Sequence, residues 1–269
     1  DLALLQAYKG VLADDDPQVA ICWFRIANAK YRLGQQQEAT HAYRTALDLQ
    51  RKAYPEGDRQ LVITYCSLGV LNTEMDDLVN AEQCYSAALE MAERVLSPKD
   101  IVWLNVLVGV SELYYKKGAF EEAHDWALQT LELATVTLPA VHQMRAKILA
   151  QLAAAVTQLN RPAEAAEYLI EAIGIASQAS LADAISLPIM TNNLTYVLCK
   201  QGLLEDAGQW NARTWELVKD LPEGHPERPS AAQLALHRRD GRDAGRVQQA
   251  EHQQAERRDF RHQFPGEAA

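Results

Sequence analysis

Asn192 and Asn193 lie side by side in TNNLTYVLCK, residues 191–200, where the other residues suit a packed helix. An asparagine amide competes for nearby backbone groups and disfavours a helix interior, so the pair calls for another use. Each amide donates and accepts at once, which matches the alternating N–H and C=O groups of an extended peptide. Catalytic chemistry has much less support. The chain carries no Gly-rich phosphate loop and no HExxH, GxSxG or CxxC pattern. His41, His124 and His142 have no Cys or carboxylate at a fixed spacing, and each is expected to be packed or exposed. The acidic pairs Asp76-Asp77, Glu121-Glu122 and Glu205-Asp206 open apolar-periodic segments, where a helix dipole accounts for them. The expectation is a non-enzymatic chain with no cofactor and no metal site.

Cys22, Cys66, Cys84 and Cys199 form neither a CxxC pair nor a set with His at ligand spacing, so they read as small apolar residues in a reducing, cytoplasmic setting. Asn193-Leu194-Thr195 matches a glycosylation sequon, but it falls inside a predicted helix and is discounted. The net charge of −10 argues against a general nucleic-acid binder. No apolar run approaches the roughly 20 residues a membrane-spanning helix needs. The charge is uneven. Residues 1–227 hold 18 Lys and Arg against 30 Asp and Glu, whereas the last 42 residues hold 8 Arg against 6 acids. That Arg-rich tail interleaves its charges and reads as solvated rather than as a binding arm.

The elements that position these residues follow from a repeat. Ala39, Ala81, Ala123, Ala165 and Ala207 stand 42 residues apart throughout. Five residues before them lie Gly34, Asp76, Gly118, Asn160 and Gly202, residue types that tolerate the left-handed backbone of a tight turn. Apolar residues recur at helical spacing on both sides, as Trp23, Ile26 and Ala27 before the first turn and Ala39, Tyr43, Ala46 and Leu47 after it. Each unit is therefore two antiparallel helices. Alanine at the crossing lets them approach, and Tyr43, Tyr85 and Trp23 fill the space left between them. One pair cannot bury its own apolar face, so consecutive pairs must stack.

Trp23, Ile26, Ala27, Gly34, Ala39, Tyr43 and Ala46 resemble the tetratricopeptide-repeat pattern. The long period, the segment from Asn192 to Ala207 and the linker LPEGHPERP, residues 221–229, are similar to the kinesin-light-chain subtype. The resemblance implies an all-α, right-handed superhelical solenoid of helix pairs. It places a partial repeat at 1–16, full repeats at about 17–58, 59–100, 101–142, 143–184 and 185–228, a degenerate capping helix pair at 229–258 and a disordered tail at 259–269. Because Asp1 falls in register with Tyr43, midway through a second helix, the chain is expected to be a piece of a longer protein.

In such folds the first helix of each pair lines the concave face. The resemblance therefore implies a groove of Phe24, Asn28, Tyr31 and Arg32 in the first repeat and Cys66, Val70, Thr73 and Glu74 in the second. The third adds Asn105, Val108, Glu112, Tyr115 and Lys116. The fourth adds Lys147, Ala150, Thr157 and Gln158, and the fifth Asn192, Asn193, Tyr196 and Lys200. Arg32, Lys116, Lys147 and Lys200 outnumber Glu74 and Glu112, giving a slightly basic lining within an acidic body. The tyrosines offer amphipathic surface for anchor side chains. The chaperone-tail clamp of some family members is not expected, because Phe24, Asn28, Ser67, Asn105 and Gly109 occupy its places and only Asn28 fits. The expected function is a protein-binding adaptor or scaffold that holds a peptide segment with an apolar anchor and acidic flanks. The alternative is a regulatory or sensory repeat domain of a larger ATPase or transcription regulator, docked on its own chain.

Overall fold

The computed structural model describes residues 16–178 and 187–220. Among them there are ten helices and no strand, so the chain is all-α as expected. The predicted partial repeat, the 221–229 linker, the capping pair and the tail lie outside the described residues, apart from Asp16. The chain divides into two compact units between Pro139 and Ala140. The first holds α1 (Pro17–Arg32), α2 (Gln36–Ala53), α3 (Arg59–Glu74), α4 (Leu78–Val95), α5 (Ile101–Lys116) and α6 (Phe120–Thr137). The second holds α7 (Gln143–Gln158), α8 (Pro162–Ala176), α9 (Leu187–Lys200) and α10 (Leu204–Val218).

Each pair turns on the same device. Gly34, Asp76, Gly118, Asn160 and Gly202 have φ of 71°, 61°, 76°, 57° and 76°. This is the left-handed region in which Gly costs nothing and Asn or Asp costs little. In the first turn Gly34 N–H donates to Tyr31 O (2.9 Å) and Gln35 N–H to Lys30 O (3.0 Å), satisfying carbonyls that the helix end leaves open. The other four turns repeat the longer bond, from Asp77 to Asn72, Ala119 to Tyr114, Arg161 to Val156 and Leu203 to Leu198. Pro162 opens α8, where its missing N–H would have had no helical partner. The five periodic alanines are all buried.

Helix starts repeat as well. Asp16, Asp58 and Asp100 accept from the backbone N–H of Gln18, Gln60 and Val102 at 2.8, 2.8 and 2.9 Å. His142 Nδ1 does the same for Met144 at 3.2 Å. Asp100 also takes two hydrogen bonds from the Arg59 guanidinium, at 2.8 and 3.1 Å, tying α3 to the start of α5. Arg59 and the Val102 N–H hold the Asp100 carboxyl below its ordinary range. Its stabilisation is therefore present above the ordinary carboxylate pKa and is lost as pH falls through the lowered folded value. Asp100→Asn keeps a capping oxygen but removes the ion pair, and should flatten the acid limb of stability. Asp100→Ala should cost about 1 kcal/mol more through the lost cap. Urea midpoints measured from neutral pH down to about pH 3 test both. An unchanged acid limb in Asp100→Asn would refute the assignment.

In the first unit the core runs through α1 to α5, from Val19, Ile26 and Ala27 to Val106, Val110 and Leu113. Tyr43, on α2, donates to Asn28 Oδ1 (2.6 Å), and its ring lies 5.6 Å from that of Phe24. Tyr85, on α4, wedges between Gly69 of α3 and Gly109 of α5. A Cβ built at either glycine would lie 2.7 or 2.4 Å from the Tyr85 ring. In the second unit Ile148, Leu149, Leu152, Leu169, Ile173 and Leu194 are buried, and Thr214 of α10 donates to Thr191 of α9 at 2.9 Å.

Candidate functional site

The expected groove residues divide between the two units. In the first unit, Tyr31 at the end of α1 donates its hydroxyl to the Glu74 carboxylate at the end of α3, joining two expected lining residues. Burial, this bond and the charges of Glu74 and Glu112 all raise the Tyr31 phenol well above its ordinary pKa, so it acts as a donor at physiological pH. Arg32, Asn105, Glu112 and Lys116 are exposed and Val70 is half-buried. Tyr115 is half-buried against the Phe120 ring, with centroids 5.4 Å apart.

Other members of the set belong to the packing. Phe24 and Asn28 are half-buried and engaged with Tyr43. The Asn28 amide oxygen, expected to face a ligand, is taken by that hydroxyl. Cys66, Thr73 and Val108 are buried rather than open to the face, and Thr73 spends its hydroxyl on Gly69 O at 2.8 Å. The physical reason is the Tyr85 wedge. With no Cβ at Gly69 or Gly109, the ring lies against α3 and α5, close to Cys66 and Thr73.

In the second unit Lys147 and Gln158 on α7 are exposed, while Ala150 and Thr157 are half-buried, with the Thr157 hydroxyl donating to Ala153 O (2.6 Å). On α9, Asn193, Tyr196 and Lys200 are exposed, and the Lys200 ammonium lies 5.2 Å from the Tyr196 ring centroid, a cation–π arrangement one helical turn apart. Asn192 is half-buried. Its Oδ1 is shielded from solvent and has no hydrogen-bond partner among the described residues. A buried carbonyl left unpaired is costly, and no bond from a neighbouring described helix relieves that of Asn192.

Sequence reasoning missed Asn211 on α10, whose Oδ1 is likewise buried without a partner among the described residues. The available signal was its register. It stands eighth in its helix, as Tyr43 and Tyr85 do in α2 and α4, yet it is polar. No group of His, Cys, Asp and Glu among the described residues could hold a metal ion, and no described helix is long and apolar enough to cross a membrane.

Residues 20–52 and 60–135 each match a tetratricopeptide-repeat family model. These segments are tetratricopeptide repeats. Solved structures of similar fold include the apo form of RapI, with 17% identity over 75% of this chain and a TM-score of 0.60. The chain spans 54% of RapI's length. A Rap protein complexed with competence and sporulation factor is 14% identical over 97% of this chain and 72% of its own, with a TM-score of 0.66. The nearly identical TPR-like repeats assigned to a kinesin light chain from Podosopora anserina are 16% identical over 78% of this chain and 99% of their own, with a TM-score of 0.63. At such identities the likeness carries the fold. No curated protein sequence matches this chain.

Proposed function

We propose that this chain of tetratricopeptide repeats is a non-enzymatic adaptor of the long-period, kinesin-light-chain-like type, holding an extended peptide segment of a partner protein against the first helices of its pairs. The observation that carries this reading is the row of exposed Asn193, Tyr196 and Lys200 on one stretch of α9. Asn193 is ready to donate and accept, and Tyr196 to supply a flat amphipathic surface. A similar fold occurs in a Rap protein complexed with competence and sporulation factor. Lys147 and Lys200 in the same unit favour acidic flanks on the ligand, so raised salt should weaken binding. A short peptide that loses its freedom on binding commonly reaches about micromolar affinity, near −8 kcal/mol.

The test is selection from a random peptide library by the whole chain, followed by comparison with Asn192→Ala/Asn193→Ala. The double variant should bind an enriched peptide at least about tenfold more weakly, the worth of one or two hydrogen bonds, at an unchanged melting temperature. A folded wild-type chain that enriches nothing, or a double variant that binds as well as wild type, would refute the reading.

A further inference from the structure

We propose that residues 229–240 form a sixth first helix that docks on α10 and seats Leu236 against Trp215. This contact within the chain does not depend on a bound peptide.

In the first unit, contacts between pairs reveal which side of a second helix receives the next pair. Arg51 of α2 donates through Nε to the Tyr65 hydroxyl of α3 at 2.8 Å, and Tyr85 of α4 lies against Gly109 of α5. Leu47, one turn before Arg51 on that side of α2, is buried. The same 42-residue register brings Asn211, Trp215 and Lys219 to the corresponding side of α10, the last helix among the described residues. Ile173, the counterpart of Trp215 in α8, is 3% exposed, whereas Trp215 is 37% exposed. End repeats need a polar outer face, so a large indole left partly in water there calls for further cover.

The sequence beyond α10 has the composition and register to provide it. Residues 219–228 separate α10 from Pro229 by the same span that separates α8 from α9. Proline opens α1 and α8, and Pro229 likewise begins PSAAQLAL, a stretch without a charge. Leu236 stands 42 residues after Leu194 and extends the series Ile26, Leu68, Val110, Leu152 and Leu194, every one of them buried on a first helix. Asp240-Gly241 then gives a turn signal. A segment of the same chain, tethered by a short linker, is present at a far higher effective concentration than a second copy.

Hydrogen exchange read by mass spectrometry on the whole chain tests this docking. Backbone amides of residues 231–239 should exchange at least about tenfold more slowly than those of an unstructured chain. Leu236→Asp and Trp215→Ser, changes on opposite sides of the contact, should each return the segment to the unstructured rate while α1 to α8 keep their protection. Leu236→Asp leaves the sequence of α10 intact, so its effect is separate from any unfolding of that helix. Amides of 231–239 that exchange at the unstructured rate in the wild type, or that stay protected in either variant, overturn the proposal. Protection that grows with protein concentration, in step with a dimer seen by sedimentation, assigns the face to a second copy and overturns it as well. The peptide-binding reading stands or falls separately, by the library selection.

Discussion

Tyr85→Ala is expected to lower the unfolding free energy by about 3–5 kcal/mol, the range for deleting a fully buried large aromatic side chain. The Tyr85 ring is 2% exposed and touches α3 at Gly69 and α5 at Gly109. It therefore packs its own helix pair and also fastens the second pair to the third. Truncation leaves a hole lined by helix backbone, which has no side chain at either glycine to move inward. In stacked repeats stability is a sum of pair terms and nearest-neighbour interfaces, so losing this ring weakens two terms together. The phenol oxygen is buried near the Thr73 hydroxyl, which donates to Gly69 O, and it makes no well-formed hydrogen bond of its own among the described residues. Tyr85→Phe should consequently cost little or even stabilise, which separates the ring's packing from its hydroxyl. Urea unfolding followed by circular dichroism reads both variants. A loss under about 1 kcal/mol for Tyr85→Ala would show that the wedge does not hold the unit together.

The fold was largely legible because it repeats. The spacing of Ala39, Ala81, Ala123, Ala165 and Ala207 predicted the helix pairs, and Gly34, Asp76, Gly118, Asn160 and Gly202 all proved left-handed. Asp16, Asp58 and Asp100 recur at the same interval and cap three first helices, a signal present in the sequence but masked by the many other acidic residues of an acidic chain. The Tyr85 wedge was half legible. Tyr85 was expected to fill space between helices, but Gly69 and Gly109 in helix interiors read from sequence only as a propensity cost. What they admit is visible only when two helices and a ring are brought together.

Around the candidate site the hydrogen-bond partners of the expected residues were the least legible part. Asn28 looked like a ligand contact because it lies on a first helix, yet the hydrogen-bonding partner that claims it, Tyr43, comes from the second helix of its pair. Asn192 looked the same, but its amide oxygen has no partner among the described residues, and the position equivalent to Tyr43 is Asn211. A side chain's neighbour across the pair decides how its polar atoms are used, and first helices alone hide that neighbour.

Gly109→Val should destabilise by about 2–3 kcal/mol, the cost of overpacking a filled site less a few tenths gained from valine's better helix propensity. A Cβ at this position would lie 2.4 Å from Tyr85 Cε1 and 2.5 Å from its hydroxyl oxygen. The ring, held from the other side by Gly69 of α3, has no route of retreat. The same substitution should turn nearly neutral or favourable once the ring is gone, since valine then refills part of the hole. Tyr85→Ala/Gly109→Val is therefore expected to be more stable than the sum of the single losses implies, by about 2 kcal/mol or more, as for residues sharing one space. Gly208→Ala, in α10, supplies the contrast. A Cβ there meets nothing within 4 Å, so the change should stabilise by up to about 1 kcal/mol. Strict additivity of Tyr85→Ala and Gly109→Val in urea unfolding would mean that α5 does not close on the ring. The two glycines would then be ordinary helix defects rather than the two sides of one slot.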